Sequence, residues 1–320
     1  LRASYGLSGN DYMSDRFQYL STIDMSSSNN EYKAFLGLDP VIYEGIRVLK
    51  WGNGDLTWET SRKTNLGIEL GLFGDLTLIA DLFEDRRNDI FMTRRSVPAS
   101  SGFQDSTPYG NIGGVLNRGL DLSLEYNKAF NKDLLVSVRG TFTYAHNEVK
   151  ARDEAKYLPN KYNSVLGKPV NSVYGLVADG LFASQEEIDT SPRQLFDDEV
   201  QVGDLKYADL NNDGLIDSND TRVIGNTTPK VNYSVSINLR YRNFDLTIVG
   251  TGRAGFDTAL TNSWYWNGWG TDNYSTFVRD NIGGDYPRLA YVKSNNNFQN
   301  SSFWLRDGGY FKIQNVELGY

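Results

Sequence analysis

The sequence predicts an all-β chain of antiparallel strands long enough to cross a lipid bilayer. Three observations predict it. Apolar and polar residues alternate with period two over segments of about nine to twelve residues; soluble sandwich strands run about five or six, and a tilted strand needs the longer span to cross hydrocarbon. Short turns are interspersed with long polar segments, the asymmetry of a membrane barrel with short turns on one side and long loops on the other. Gly 31, Tyr 20, Phe 16 and Trp 6 stand against Pro 8 and Met 3, an aromatic-rich composition that suits strands better than helices.

The elements follow in order. Leu1-Arg2-Ala3-Ser4-Tyr5 reads as strand, not as a signal peptide. Leu66, Ile68, Leu70 and Leu72 oppose Asn65, Gly67, Glu69 and Gly71, and Phe73-Gly74-Asp75 makes a tight turn. Leu120, Leu122, Leu124 and Tyr126 oppose Asp121, Ser123 and Glu125, before a turn at Asn131-Lys132-Asp133. Leu134, Val136, Val138, Phe142 and Tyr144 oppose Ser137, Arg139, Thr141 and Thr143. Val231, Tyr233, Val235, Ile237, Leu239 and Tyr241 oppose Asn232, Ser234, Ser236, Asn238, Arg240 and Arg242. After a break at Arg242-Asn243 the pattern resumes with Phe244, Leu246 and Ile248. The polar faces suit a wet lumen, with Arg139, Asn238 and Arg240 as lumen-facing candidates, and the aromatic ends of the apolar faces suit an interfacial girdle.

Between the strands lie long polar segments at 11–30, 85–117, 147–173, 182–228 and 255–302. Ser26 to Asn30 and Ser294 to Asn297 read as polar loop tips. One short helix is predicted around Ser184 to Ile188, where Ser184-Gln185-Glu186-Glu187 has a capping-box shape. No run approaches the roughly 18 apolar residues of a transmembrane helix. Lys+Arg 32 against Asp+Glu 40 gives a formal charge of -8, which opposes nucleic-acid binding. With Cys 0 and His 1, disulfide scaffolds, Cys-ligated zinc and multi-His metal sites are excluded.

An ordered series of motifs carries a family resemblance. It runs from Arg2-Ala3-Ser4-Tyr5-Gly6 through Leu56-Thr57-Trp58-Glu59-Thr60 and Thr64-Asn65-Leu66-Gly67 to Asp81-Leu82-Phe83 and Arg87-Asn88-Asp89-Ile90. It continues with Asn111-Ile112-Gly113, Asn117-Arg118-Gly119-Leu120-Asp121, Gly180-Leu181-Phe182, and Gly203-Asp204-Leu205-Lys206-Tyr207 leading into Ala208-Asp209-Leu210-Asn211-Asn212-Asp213-Gly214. As a set these resemble the C-terminal barrel portion of SusC/RagA-type TonB-dependent outer-membrane transporters, over nearly the whole chain.

The resemblance implies an antiparallel transmembrane β-barrel of about 22 strands, of which residues 1–320 would supply only part. The signal peptide, the plug domain and the final strands are then expected outside this sequence. It further implies the outer membrane of a Gram-negative bacterium and active import of oligosaccharides or peptides, without breaking a bond in the substrate. The implied partners are a SusD-like surface lipoprotein that lids the barrel and the TonB–ExbB–ExbD complex, which acts through the N-terminal part; no cofactor is required.

Three further patterns are site candidates. Within the long loop 182–228, the stretch 209–220 fits a twelve-residue calcium loop, with Asp209, Asn211, Asp213, Asp217 and Asp220 as oxygen donors, Leu215 offering its carbonyl and Gly214 making the turn. The same residues also fit an acidic turn closed on its own Asx hydrogen bonds; either way the expected role is structural. Trp264, Tyr265, Trp266 and Trp269 form an aromatic cluster suited to stacking on sugars or to a protein partner, and equally to a girdle or to packing within the loop. Gly250-Thr251-Gly252-Arg253-Ala254-Gly255 has dinucleotide-fingerprint spacing but no amphipathic helix after it, so close backbone approach is the expected use of its glycines. His146 ends a strand, where a solvated rim position is expected, and no Gly-x-Ser-x-Gly elbow accompanies it.

Two other functions fit parts of this pattern. A surface or secreted β-rich glycan-binding module would use the Trp cluster as its stacking platform. A secreted glycoside hydrolase would need a carboxylate pair that no motif supplies.

Overall fold

A computed structural model of the chain describes residues 1–12, 16–24, 33–36, 41–44, 47–98, 100, 108–155, 160–196, 199–260, 286–288 and 294–320. Its main body is one 8-stranded antiparallel sheet in which each strand pairs with the next. The strands are β1 (Arg2–Asn10), β2 (Glu59–Leu72), β3 (Leu76–Thr93), β4 (Tyr109–Ala129), β5 (Leu134–Ala151), β6 (Val231–Tyr241), β7 (Phe244–Ala254) and β8 (Tyr310–Gly319). The sheet is open, with β1 and β8 as its edges.

The register turns the alternation in the sequence into two continuous faces. Leu66, Leu82, Leu120, Tyr144 and Val231 lie in one cross-strand row, and Leu70, Leu78, Leu124 and Val235 in another, so the leucines of three adjacent strands share a side. This apolar face is open to the surroundings: Leu82 is 56% exposed, Leu124 47% and Ile313 65%. Side chains this apolar do not face water over a whole sheet; they face lipid. β6 has 11 residues, about 36 Å of strand. At a barrel tilt of about 45° that covers about 25 Å, the height of a barrel's apolar band.

All the tight turns fall at one end of the sheet: 73–75 between β2 and β3, 130–133 between β4 and β5, and 242–243 between β6 and β7. Phe73 and Arg242 take positive φ there. Aromatic residues gather at this end, with the Phe244 and Tyr320 rings 4.8 Å apart and the Arg242 guanidinium over Tyr241. All the long connections fall at the other end.

Two sequence expectations need correction. The polar segment 85–117 is mostly strand, because β3 runs on to Thr93 and β4 starts at Tyr109; β5 likewise continues to Ala151. Beyond the apolar band both faces of these strands are wet. The alternation therefore vanishes while the backbone ladder persists. Second, Ser294 to Asn297 is no loop tip: Ser294, Asn296 and Asn297 are buried, the last two at 1% exposure.

Residues 160–196, 199–228, 286–288 and 294–307 meet in a compact body at the long-loop end. Its core is Leu176, Leu205, Tyr207, Ile216 and Trp304, with Phe196, Leu260, Phe298 and Phe303 packed around them. Small strand pairs frame it: Ser172–Gly175 with Arg222–Asn226, Ala178–Leu181 with Leu205–Tyr207, and Asp257–Ala259 with Leu305–Asp307. The predicted helix is present at Gln185–Thr190, with the Ser184 side chain accepting from the Glu187 amide. Glu187 reaches back to the Ala183 amide, 2.8 Å away.

Candidate functional site

The polar face of the sheet and the compact body above it are the two places where chemistry collects. On the polar face Arg139 lies opposite Glu125 and Ser236, and Arg240 opposite Asp245. Asn238 accepts from the Thr247 hydroxyl at 2.9 Å, and Thr141 and Ser234 share a hydrogen bond of 2.6 Å. The three lumen-facing candidates thus occupy the polar side of β5 and β6, although they form no single cluster.

The same face carries residues that sequence reasoning missed. Arg2 forms an ion pair with Asp81 across β2. Gly67 lies between them in the register, and a Cβ there would collide with both side chains. A shallow groove of about 400 Å³ runs between Thr143, Asn232, Arg253 and Lys312. Only the register reveals it, because these residues come from strands far apart in the chain.

The glycines of the dinucleotide-like stretch lie in and just after β7, which pairs through Ala254. Gly252 is overlaid by the Tyr233 ring, which stacks on Phe311 with centroids 6.0 Å apart. Asp257–Ala259 follows as strand, so no helix terminus is there to receive a phosphate.

In the compact body, the 209–220 loop is held by its own amides. Asp209 accepts from Asn212 N and Gly214 N, and Asp213 accepts from Leu215 N and the Asn211 side chain. Asp217 accepts from both nitrogens of Asn219, and Asp220 from Leu210 N and Asp217 N. Asn211 accepts from Asp213 N. Leu215 pairs in a short parallel bridge with Arg193 and brings Ile216 into the core. Among the described residues no three acidic or His side chains gather in a metal-holding group. The aromatic cluster Trp264, Tyr265, Trp266 and Trp269 lies outside the described residues.

A buried polar knot ties the two halves of the body together. The Gln194 side chain donates to Leu205 O and to the Asn296 side chain, and Asn297 accepts from Leu205 N while donating to Asp204. Arg288 lies 2.8 Å from the same Asp204 carboxylate. Tyr207 donates to Asn296 O, and burial raises its phenol above the ordinary value. Beside the helix, Lys206 reaches Glu187 at 2.9 Å and Asp179 at 3.2 Å. That bond holds the Glu187 carboxyl below its usual range and raises the Lys206 ammonium. A groove of about 730 Å³ opens alongside, between Phe182, Gln185, Ile188, Pro192 and Glu199.

The family model described as TonB dependent receptor-like, beta-barrel matches residues 1–320. The chain belongs to that family.

TonB-dependent receptor P3 of Formosa agariphila is 26% identical over 100% of this chain and 32% of its own length. TonB-dependent receptor SusC of Bacteroides thetaiotaomicron is 22% identical over 100% of this chain and 31% of its own. The chain therefore spans about a third of the length of the curated relatives it matches. Solved structures of the RagAB peptide importer in the open-open and closed-closed states share the fold, with TM-scores of 0.69 and 0.67 at 21% identity, over 99% of this chain and 33% of theirs. The SusC/RagA resemblance read from the motifs, the antiparallel β fold and the outer-membrane location agree with these matches. The leucine rows lie on one face of the sheet and Arg139, Asn238 and Arg240 on the other.

Proposed function

We propose that these 320 residues form part of the wall and outer rim of a TonB-energised outer-membrane importer that takes up oligosaccharides or peptides with a SusD-like surface lipoprotein. The observation that carries this is the two-faced sheet: a lipid-exposed apolar side, a polar side with Arg139, Asn238 and Arg240, and every long connection at one end. The naming of the solved neighbours as a peptide importer supports the peptide part of that substrate class. The protein moves its substrate without chemical change. The compact body, with its groove beside the helix, belongs to the outer mouth. Calcium, if taken up at Asp209 to Asp220, would brace that body and take no part in transport.

A soluble glycan-binding module is disfavoured by the exposed leucine rows, which water would not tolerate. The test is purification of the native full-length receptor from outer membranes in mild detergent, with identification of whatever co-purifies. A co-purifying lipoprotein and bound oligosaccharide or peptide are expected. A protein that is folded and monomeric in plain buffer, with no membrane association, would overturn the reading.

A further inference from the structure

Above the last leucine row, the lipid-facing side of β2 to β5 changes character abruptly. The next rows hold Arg62, Arg86 and Arg118, with Glu84 and His146 between them and Glu148 beside Lys150. This is a cationic collar on a chain whose formal charge is -8. Arg86 pairs with Glu84 at 3.5 Å and Lys150 with Glu148 at 2.7 Å. Arg62 and Arg118 are exposed, and neither has a carboxylate within ion-pair distance among the described residues.

A groove of about 560 Å³ crosses the boundary. Its lower part is Leu66, Leu82, Leu120 and Tyr144; its upper edge is Thr64, Glu84, Arg118 and His146, with Glu84 opposite Arg118 in the register and Arg62 beside Arg86 in the row above. One surface therefore offers an apolar bed that runs into the lipid-facing band and, directly above it, guanidinium groups with free donors. Guanidinium forks match phosphate oxygens two at a time, and cations at headgroup level draw anionic lipid.

We propose that this collar and groove bind a lipid with a phosphorylated headgroup, its acyl chains on the leucine rows and its phosphate above Glu84, held by Arg118 and by the Arg62 and Arg86 pair of the next row. The site rests on the membrane-spanning reading of the sheet. It lies on the opposite face from the transport path, so it anchors the barrel's depth and rotation in the leaflet without touching cargo.

The experiment is native mass spectrometry of the full-length receptor in detergent, offered phosphatidic acid or phosphatidylcholine with the same acyl chains. The wild type is expected to retain phosphatidic acid preferentially. R62Q/R118Q is expected to retain about tenfold less of it, while R139Q/R240Q, the same charge change on the other face, retains it as the wild type does. A shift in electrophoretic mobility on heating checks that each variant is folded, and R118Q alone is read if the double variant is not. Equal retention of the two lipids, equal loss in both double variants, or displacement of the lipid by an equal concentration of inorganic phosphate would each overturn the lipid site while leaving the barrel intact. A receptor that folds in plain buffer and retains neither lipid would overturn the membrane reading together with it.

Discussion

Replacing Asp220 with Ala should loosen the outer body without disturbing the barrel wall. Asp220 is fully buried, and its two carboxylate oxygens each accept a backbone amide, from Leu210 and Asp217, both at 2.9 Å. The Asp217 bond is half of a capping box that closes the one-turn helix Ser218–Asp220. Ala leaves two amides without an acceptor in a place water does not reach. At about 1–3 kcal/mol for each stranded group, the cost is about 2–6 kcal/mol. The loss is local, because what it frees is the arm that presents Ile216, itself 0% exposed, to Leu205 and Trp304. Hydrogen exchange on the full-length receptor in detergent reads it directly. Amides in 205–226 should exchange at least about 30-fold faster, with strands β2 to β5 unchanged. Asp220→Asn, which keeps one acceptor oxygen, should fall between Ala and wild type. If the Ala variant is as protected as wild type in 205–226, or if protection drops equally across the sheet, the account of Asp220 as a local clamp is wrong.

Other consequences can be tested alongside. Leu124→Arg, on the lipid-facing side, should destabilise the folded barrel in vesicles by about 2–4 kcal/mol, while Ser123→Arg on the polar side should cost far less; similar urea midpoints for the two would reject the assignment of faces. The Glu187–Lys206 bond should make docking of the Gln185–Thr190 helix pH-dependent at both extremes. Glu187 is lowered, so its contribution is present above the unfolded carboxylate value of about 4.3 and is lost as pH falls through the lower folded value. Lys206 is raised, so its contribution is present below about 10.4 and is lost as pH rises through the higher folded value. Helix exchange rates flat across both windows would show that the bond does not secure the helix. Because both carboxylate oxygens of Asp209, Asp213, Asp217 and Asp220 already accept hydrogen bonds, chelation should leave protection of 209–220 unchanged. A calcium-dependent rise would show that an ion displaces those amides.

The sheet was legible because its register is dictated by one wet and one greasy face. Leu66 to Leu72 and Val231 to Tyr241 announce themselves by parity alone. The same logic fails once a strand leaves lipid. Around Glu84 to Asn88 both faces are polar, so only backbone pairing with β2 and β4 defines the strand. The outer body was illegible for a different reason. Its strands are mostly two to five residues long, too short for periodicity, and its core joins Leu176 to Trp304 across a long stretch of chain. Asn296 and Asn297 looked like a solvated tip, yet their amides are what bridge Gln194, Leu205 and Asp204 inside that core. Among the polar-face residues, Arg139, Asn238 and Arg240 could be named from alternation, whereas the Arg2–Asp81 pair needed the register.

The core shared by the described residues of 160–228 and 286–307 sets the unit in which this rim can change. The two segments come from different hairpins, one between β5 and β6 and the other between β7 and β8, yet Trp304 from the second fills space among Leu176, Leu205 and Ile216 from the first. A graft that exchanged either segment alone between related receptors would carry half a core into a foreign half and leave Asp204 and Gln194 facing strangers. Recombination and engineering at this mouth should therefore succeed when both segments travel together, as one inherited part encoded in two places.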